Sequence, residues 1–440
     1  MALRRSLQAS VLTLALATAL EASSHPAGDS IVVANCNDTG QGSLRDAIAT
    51  APDGADIDLS ALTCSTITLT SGAIAINQRS LYLIGPAPSG LTIDGNSADR
   101  IFDQSALGYM TIDHLSLAHG ASTGDGGCIR SGGVELYDST VHDCYAHAAG
   151  EIHGGAIHAY TVQMISSRIS DSVARSDSAY AIGGGLYVHH LFADYSVIAD
   201  NSALSQSSRS FGGGAYVELE LELSLSTVSG NRATQSGGIL LHGLDAQQST
   251  IVESTISGNV GSYYMGGITT DSYLRIRNST IAFNCASATL VRGLYVAGIG
   301  IDFRFSPPDM ESTIVANNGL CVAGGESGAP QDVPYDIGGQ LFNGSITGAN
   351  NLVMTAAVAL PAGTLRSDPR LLPLGDNGGW TWTHALSPLS PAVDAGNNLE
   401  SLNFDQRGIG FPRTVGSTPD IGAFELDTAD EIFASGFEPP

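Results

Sequence analysis

One short phrase returns along this chain at nearly constant spacing, and that return restricts the fold more than any other feature. A small polar residue, a variable one and then Val or Ile recur as Ser139-Thr140-Val141, Ser167-Arg168-Ile169, Ser196-Val197-Ile198, Ser226-Thr227-Val228, Ser254-Thr255-Ile256, Ser279-Thr280-Ile281 and Ser312-Thr313-Ile314. Their starts lie 28, 29, 30, 28, 25 and 33 residues apart. A second marker precedes each of the first six: Gly126-Gly127, Gly154-Gly155, Gly183 to Gly185, Gly212 to Gly214, Gly237-Gly238 and Gly266-Gly267. Two markers in step define a repeat array, in which each unit buries its apolar face only against its neighbours.

The units are rich in Gly, Ser, Thr and β-branched residues, which disfavours helical repeats. Val217 to Leu223 alternates with period two, which places leucines on one face and Glu218, Glu220 and Glu222 on the other. Two or three short strands separated by turns make one circuit of a coil, and coils stacked about 4.8 Å apart pair each strand with its counterpart in the next. The expected fold is all-β, a right-handed parallel β-helix. A β-propeller is the alternative, but its blades need about 40 residues and four strands each.

Open ends of such a stack expose unpaired strand edges. In Gly42 to Ile48, Ser43 stands at a capping position and Leu44, Ala47 and Ile48 share helical spacing, so a short lid helix is expected there. The expected division is a leader at 1–22, an N-terminal cap and first coils at 23–110, β-helix repeats at 111–322, a Gly- and Pro-rich loop at 323–339, an irregular C-terminal cap at 340–426 and a tail at 427–440.

The leader reading rests on Arg4 and Arg5, an apolar run from Val11 to Leu20 and small residues at Ala19, Ala22 and Ser23, the layout of a secretory signal. The run is shorter than the roughly 20 apolar residues that cross a bilayer. Secretion, to the medium or the outer cell surface, without a transmembrane span is expected. Removing the leader's two arginines and one glutamate from 18 basic and 43 acidic residues leaves a net charge of −26, and no lysine occurs. Nucleic acid is excluded as a partner, because phosphate binding needs a basic footprint. Six cysteines in an exported chain suit disulfides, and local proximity favours Cys36 with Cys64, Cys128 with Cys144 and Cys285 with Cys321. No C-x-x-C spacing points to zinc instead.

Asn35-Cys36-Asn37-Asp38-Thr39-Gly40-Gln41-Gly42-Ser43-Leu44-Arg45-Asp46-Ala47-Ile48 resembles the N-terminal phrase of β-helix surface proteins of the CSLREA type. The repeats look like those of polymorphic outer-membrane proteins. Asp376-Asn377-Gly378-Gly379, Ser390-Pro391-Ala392-Val393-Asp394-Ala395-Gly396, Asp405-Gln406-Arg407-Gly408 and Asp420-Ile421-Gly422-Ala423-Phe424-Glu425 are similar to a choice-of-anchor Q domain. Asp430 to Glu438 looks like a short sorting tag of exported bacterial proteins. The resemblance implies secretion and surface association and attaches no reaction. Two features depart from it: no cysteine directly precedes Ser43, and Trp380 and Trp382 stand where smaller residues are usual.

Aligning the units on their glycines stacks Arg130, His158, Tyr187 and Tyr216, with Tyr160, His189 and Glu218 two residues further on. This outward ladder of rings and charges suits a glycan, whose apolar faces stack on aromatics. The first expectation is a structural or adhesive protein presenting that face to a polysaccharide or a surface protein. The alternative is a polysaccharide lyase or glycoside hydrolase. Elimination would use His158 or Tyr187 as base and Arg130 as the cation facing a uronate, and would require the three to converge in a groove. The glutamates of Val217 to Leu223 fit a solvated strand face. Eight of eleven histidines lie between His114 and His190, read as exposed and unpaired, with His189 and His190 facing opposite ways. No metal triad is evident in the spacing; calcium is left open as a cofactor, although no EF-hand occurs.

Overall fold

The computed structural model describes residues 30–427 except 89, 105–106, 207–208, 244–248, 264, 287–296, 302–307, 322–326, 329–335 and 340–344. The leader and nearly all of the tail lie outside the described residues. Among the described residues, no helix is long and apolar enough to cross a membrane.

The chain winds as a right-handed parallel β-helix. One coil shows the pattern. Leu186–Asp194 runs in the largest sheet, Val197–Ala199 in a second, Ser202–Ser205 in a third and Ser210–Phe211 in a small fourth, before a glycine corner opens the next coil. Each strand lies parallel on its counterpart one coil on, as with Thr140–His142, Arg168–Ser170, Val197–Ala199 and Thr227–Ser229. Val141, Ile169, Ile198, Val228, Ile256, Ile281 and Val315 point inward as one fully buried column, each contributing about 1.5–3 kcal/mol by burial.

The serine of the recurring phrase is a structural rung. Its hydroxyl donates to the carbonyl two residues back, 2.7 Å from Ser139 to Tyr137, and accepts the backbone N–H of the preceding serine, 3.1 Å from Ser139 N to Ser167 Oγ. The series continues through Ser196, Ser226, Ser254 and Ser279. Immediately before it the chain turns in the left-handed region, with φ between 42° and 49° at Asp138, Ser166, Tyr195, Leu225, Glu253, Asn278 and Ser312. Ser312 therefore occupies the turning slot. The seventh phrase is one residue out of step: Thr280 pairs with Ile314 and Ile281 with Val315, so Thr313 is the equivalent of Ser279.

A second ladder stands at the next corner. Ser172 N–H donates to Asn201 Oδ1 at 3.1 Å, and Asn201, Asn231, Asn259, Asn284 and Asn318 follow, each amide oxygen accepting from the coil before. Asp336 ends the run. These residues are buried, so each backbone N–H would lose a partner without its neighbour's side chain.

Leu44–Thr50 forms the lid helix, with Ser43 Oγ accepting from Asp46 N–H at 3.2 Å and Leu44, Ala47 and Ile48 buried on the first coils. Cys36–Cys64, Cys128–Cys144 and Cys285–Cys321 are bonded as proximity suggested. Ile337–Gly339, expected within the loop, is a strand laid on Ile299–Ile301. The C-terminal region does more than close the end. Ala356, Val358 and Leu360 pack on the last core residues, and the chain then turns back along the second sheet. There Thr381 Oγ1 donates to Leu225 O, Ser257 Oγ meets His384 Nε2 at 2.8 Å, and buried Arg413 joins Glu253 to Glu425.

Candidate functional site

The glycine corners shape the outer surface. At Gly154, with φ +66°, a Cβ would lie 2.2 Å from Ile157 O, and at Gly155 it would lie 1.9 Å from Gly184 O. Only glycine lets the backbone double back so closely. The tight corner leaves an outward crease with two walls. On one stand His153, Ile182, Phe211 and Gln235 in register, each just before its corner, as is Asp125 in the coil before. On the other stand Arg130, His158, Tyr187, Tyr216, Leu240 and Thr269.

The seven residues expected on the outer face do share it. The His158 and Tyr187 rings stack at 5.2 Å and those of Tyr187 and Tyr216 at 5.3 Å with 3° between planes, while Tyr160 stacks on His189 at 4.4 Å. Tyr187 Oη donates to Glu218 Oε1 at 2.5 Å, and His189 Nε2 lies 2.8 Å from Glu218 Oε2. Burial, reinforced by Glu218, pushes the Tyr187 hydroxyl well above its usual range, and burial with Glu218, Asp271 and Glu151 nearby pushes Tyr216 up to about 12. Both phenols are donors at neutral pH.

The lyase trio does not converge. Arg130, His158 and Tyr187 stand side by side on successive coils, because equivalent positions stack rather than meet. Arg130 is moreover held by Asp103 through a fork of 2.8 and 2.9 Å. The groove lies further along, as an open cleft of about 360 Å³ reached by Tyr216 and lined by Glu151, Tyr180, Phe211, His242 and Asp271 among others. Asp271 accepts from Gly243 N–H at 3.0 Å and pairs with His242 Nδ1.

Two further expectations need correction. His189 and His190 both face outward, against Glu218 and Glu220 respectively, because two residues and not one separate buried Val188 from buried Leu191; against the next coil the register shifts here, and the extra residue bulges Ala215–Ser224. The same irregularity leaves Leu219 only half-buried between buried Val217 and Leu221. Nor are the histidines unpaired: seven of the eight between His114 and His190 lie within 4.0 Å of a carboxylate. In a chain without lysine, imidazoles stand where cationic partners would.

His158 is the exception. No hydrogen bond engages its ring nitrogens among the described residues, yet it lies with Asp125 and His153 in a group whose ligand-capable atoms are all within 4.8 Å of one another. His153 Nδ1 is 3.1 Å from Asp125 Oδ1, and its Nε2 is 3.1 Å from Glu151 Oε1. Burial opposes a charge on His153, but Asp125 and Glu151 outweigh it and raise its pKa. For His158, burial depresses the pKa, only partly offset by Asp125. Asp125, Glu151, His153, Tyr180, Phe211, His242 and Asp271 were missed in the sequence. The slot immediately before each glycine corner, aligned as the slots after it were, brings out Asp125, His153 and Phe211.

No family model matches the chain, and no curated protein matches it. Among solved structures it is similar to the crystal structure of pectate lyase Pel9A, at 14% sequence identity and a TM-score of 0.43, covering 91% of this chain and 97% of that one.

Proposed function

We propose that the protein is a polysaccharide-active enzyme working outside the cell, which seats a glycan chain along the crease and cuts it there by hydrolysis. The cleft carries this reading. Tyr180, Phe211 and Tyr216 offer rings to the apolar faces of sugars, and carboxylates enter from both walls, Glu151 from one and Asp271 from the other. Glycoside hydrolysis uses one carboxyl group to protonate the leaving oxygen and a second, within about 10 Å, to attack or activate water; Glu151 and Asp271 stand four coils apart, so they mark two positions along the seated chain and not one bond. Asp271, fixed by Gly243 N–H and His242, suits the charged role. Glu151, 3.1 Å from His153 Nε2, has an imidazole with which to exchange the transferred proton.

Elimination on a uronate needs a cation aimed at the substrate carboxylate. Arg130 is committed to Asp103, and the cleft is acidic, so a neutral glycan fits better than a polyuronate. The test is a panel of neutral and acidic polysaccharides, read for new reducing ends, unsaturated products and binding together. New reducing ends from a neutral glycan are expected, falling at least about a hundredfold in Glu151→Gln or in Asp271→Asn, whichever position holds the scissile bond, with binding kept. Unsaturated products would replace hydrolysis by elimination. Binding without cleavage would favour the second reading, an adhesive presenting surface. One observation supports that reading: the row's own polar groups are already paired with one another, Tyr187 and His189 with Glu218 and His190 with Glu220.

A further inference from the structure

We infer that Asp125, His153 and His158 form a binding site for a divalent transition metal of the zinc type beside the glycan cleft. Asp125 and His153 occupy the same slot before successive glycine corners, and the tight turn at Gly154 folds His158 back across the crease towards them. Their donor atoms lie within 4.8 Å of one another, with His153 Nδ1 and Asp125 Oδ1 at 3.1 Å. Ligands bound about 2.0–2.1 Å from a tetrahedral zinc stand roughly 3.3 Å apart, so one pair is already in place and the His158 nitrogen need approach by no more than about 1.5 Å.

The surroundings support ligation. Asp125 is locked to this geometry by the His153 backbone N–H at 2.9 Å. His153 places its other ring nitrogen 3.1 Å from Glu151, the carboxylate that commonly orients a metal-bound imidazole from behind. His158 carries no competing hydrogen bond among the described residues, so its nitrogen enters a metal's shell without breaking one. Two imidazoles and one carboxylate suit zinc, cobalt or nickel and are a poor match for calcium, which takes six to eight oxygens. Three protein donors leave a fourth position for water or a substrate oxygen.

A second group, Asp113, His114 and Asp138, supplies the control: His114 already places one nitrogen 2.6 Å from Asp113 and the other 3.9 Å from Asp138. The experiment titrates the chelator-treated full chain with Co²⁺, following its visible bands, and then displaces it with Zn²⁺ in a calorimeter. One saturable equivalent is expected, weakened at least about tenfold in His158→Gln and, separately, in Asp125→Asn, and retained in His114→Gln. Zn²⁺ should raise the thermal midpoint of the wild type and not of those two variants, whose metal-free midpoints report whether they fold. A wild type without a saturable equivalent, an equivalent that survives in both variants, or one lost only in His114→Gln would overturn the site. Because the readout is metal binding, none of these outcomes depends on glycan cleavage.

Discussion

Two ladders climb the same coils with the same step, and they are built on opposite rules. The inner one repeats a single residue: Asn201, Asn231, Asn259, Asn284 and Asn318 make the same contacts in coil after coil, out of water. The outer one varies along the stack, from Arg130 through His158 to the tyrosine pair Tyr187 and Tyr216 and then Leu240. Stacking imposes register on both. Sequence identity is demanded only where a buried donor must find the next acceptor, and where water can satisfy a group the rung is free to differ. Variation along a solenoid face thus marks the surface available for recognition, and repetition marks the scaffold.

The contrast is broken most severely from inside. Asn259→Ala removes the acceptor of Asn231 N–H and Nδ2 and the donor to Val228 O and Asn284 Oδ1. Leaving those buried groups unpaired should cost roughly 3 to 5 kcal/mol, measured by denaturant unfolding and by hydrogen exchange in the flanking coils. A cost below about 1 kcal/mol would remove the distinction between the ladders.

The flank that leans on the second sheet obeys the inner rule and gives a pH test. Burial holds the His384 imidazole near a pKa of about 4, with Nδ1 donating to Leu372 O and Nε2 accepting from Ser257. The unfolded chain takes up that proton first as pH falls from about 6.5, so stability should decline towards pH 4 and level off below it. The loss is on the order of 3 kcal/mol. It should appear as the difference in pH slope between the wild type and His384→Gln.

On the outer row the effects shift from stability to binding. Tyr216→Ala should cost under about 1 kcal/mol of stability beyond its lost packing but weaken glycan binding about tenfold, as compared by calorimetry and thermal unfolding. Smallest of all, Arg130→Gln should change stability by less than about 0.5 kcal/mol, because its partner Asp103 is partly exposed and its own side chain half so. Salt titration of both forms would expose any larger contribution.

The difference between the ladders also explains what the sequence made legible. The coil period, the lid helix from Ser43 to Thr50 and the disulfide pairs are local or strictly repeated, so they show in one dimension. The serine rungs did too, until Ser312 slipped by one residue. The cleft was harder. Glu151 and Asp271 come from coils far apart in sequence and line one cleft only because a corner sets one wall beside the other. Asp125 and His153 were hidden because attention to residues after each glycine leaves out the slot before it. The bulge opposite His189 could not be read at all, since it arises from fitting Leu186–Asp194 to Ala215–Ser224, which carries one residue more.

The asparagine ladder has one more property. A carboxamide both receives and gives, so each rung relays the pattern to the next and gives the stack a direction. Asp336 receives from Asn318 N–H and Nδ2 and also from Thr355 N–H and Oγ1, and its oxygens have no proton to hand on when ionised. The aspartate thus ends the carboxamide relay: beyond it no side-chain N–H is passed on, and only its backbone N–H continues, donating to Thr355 Oγ1 at 3.2 Å.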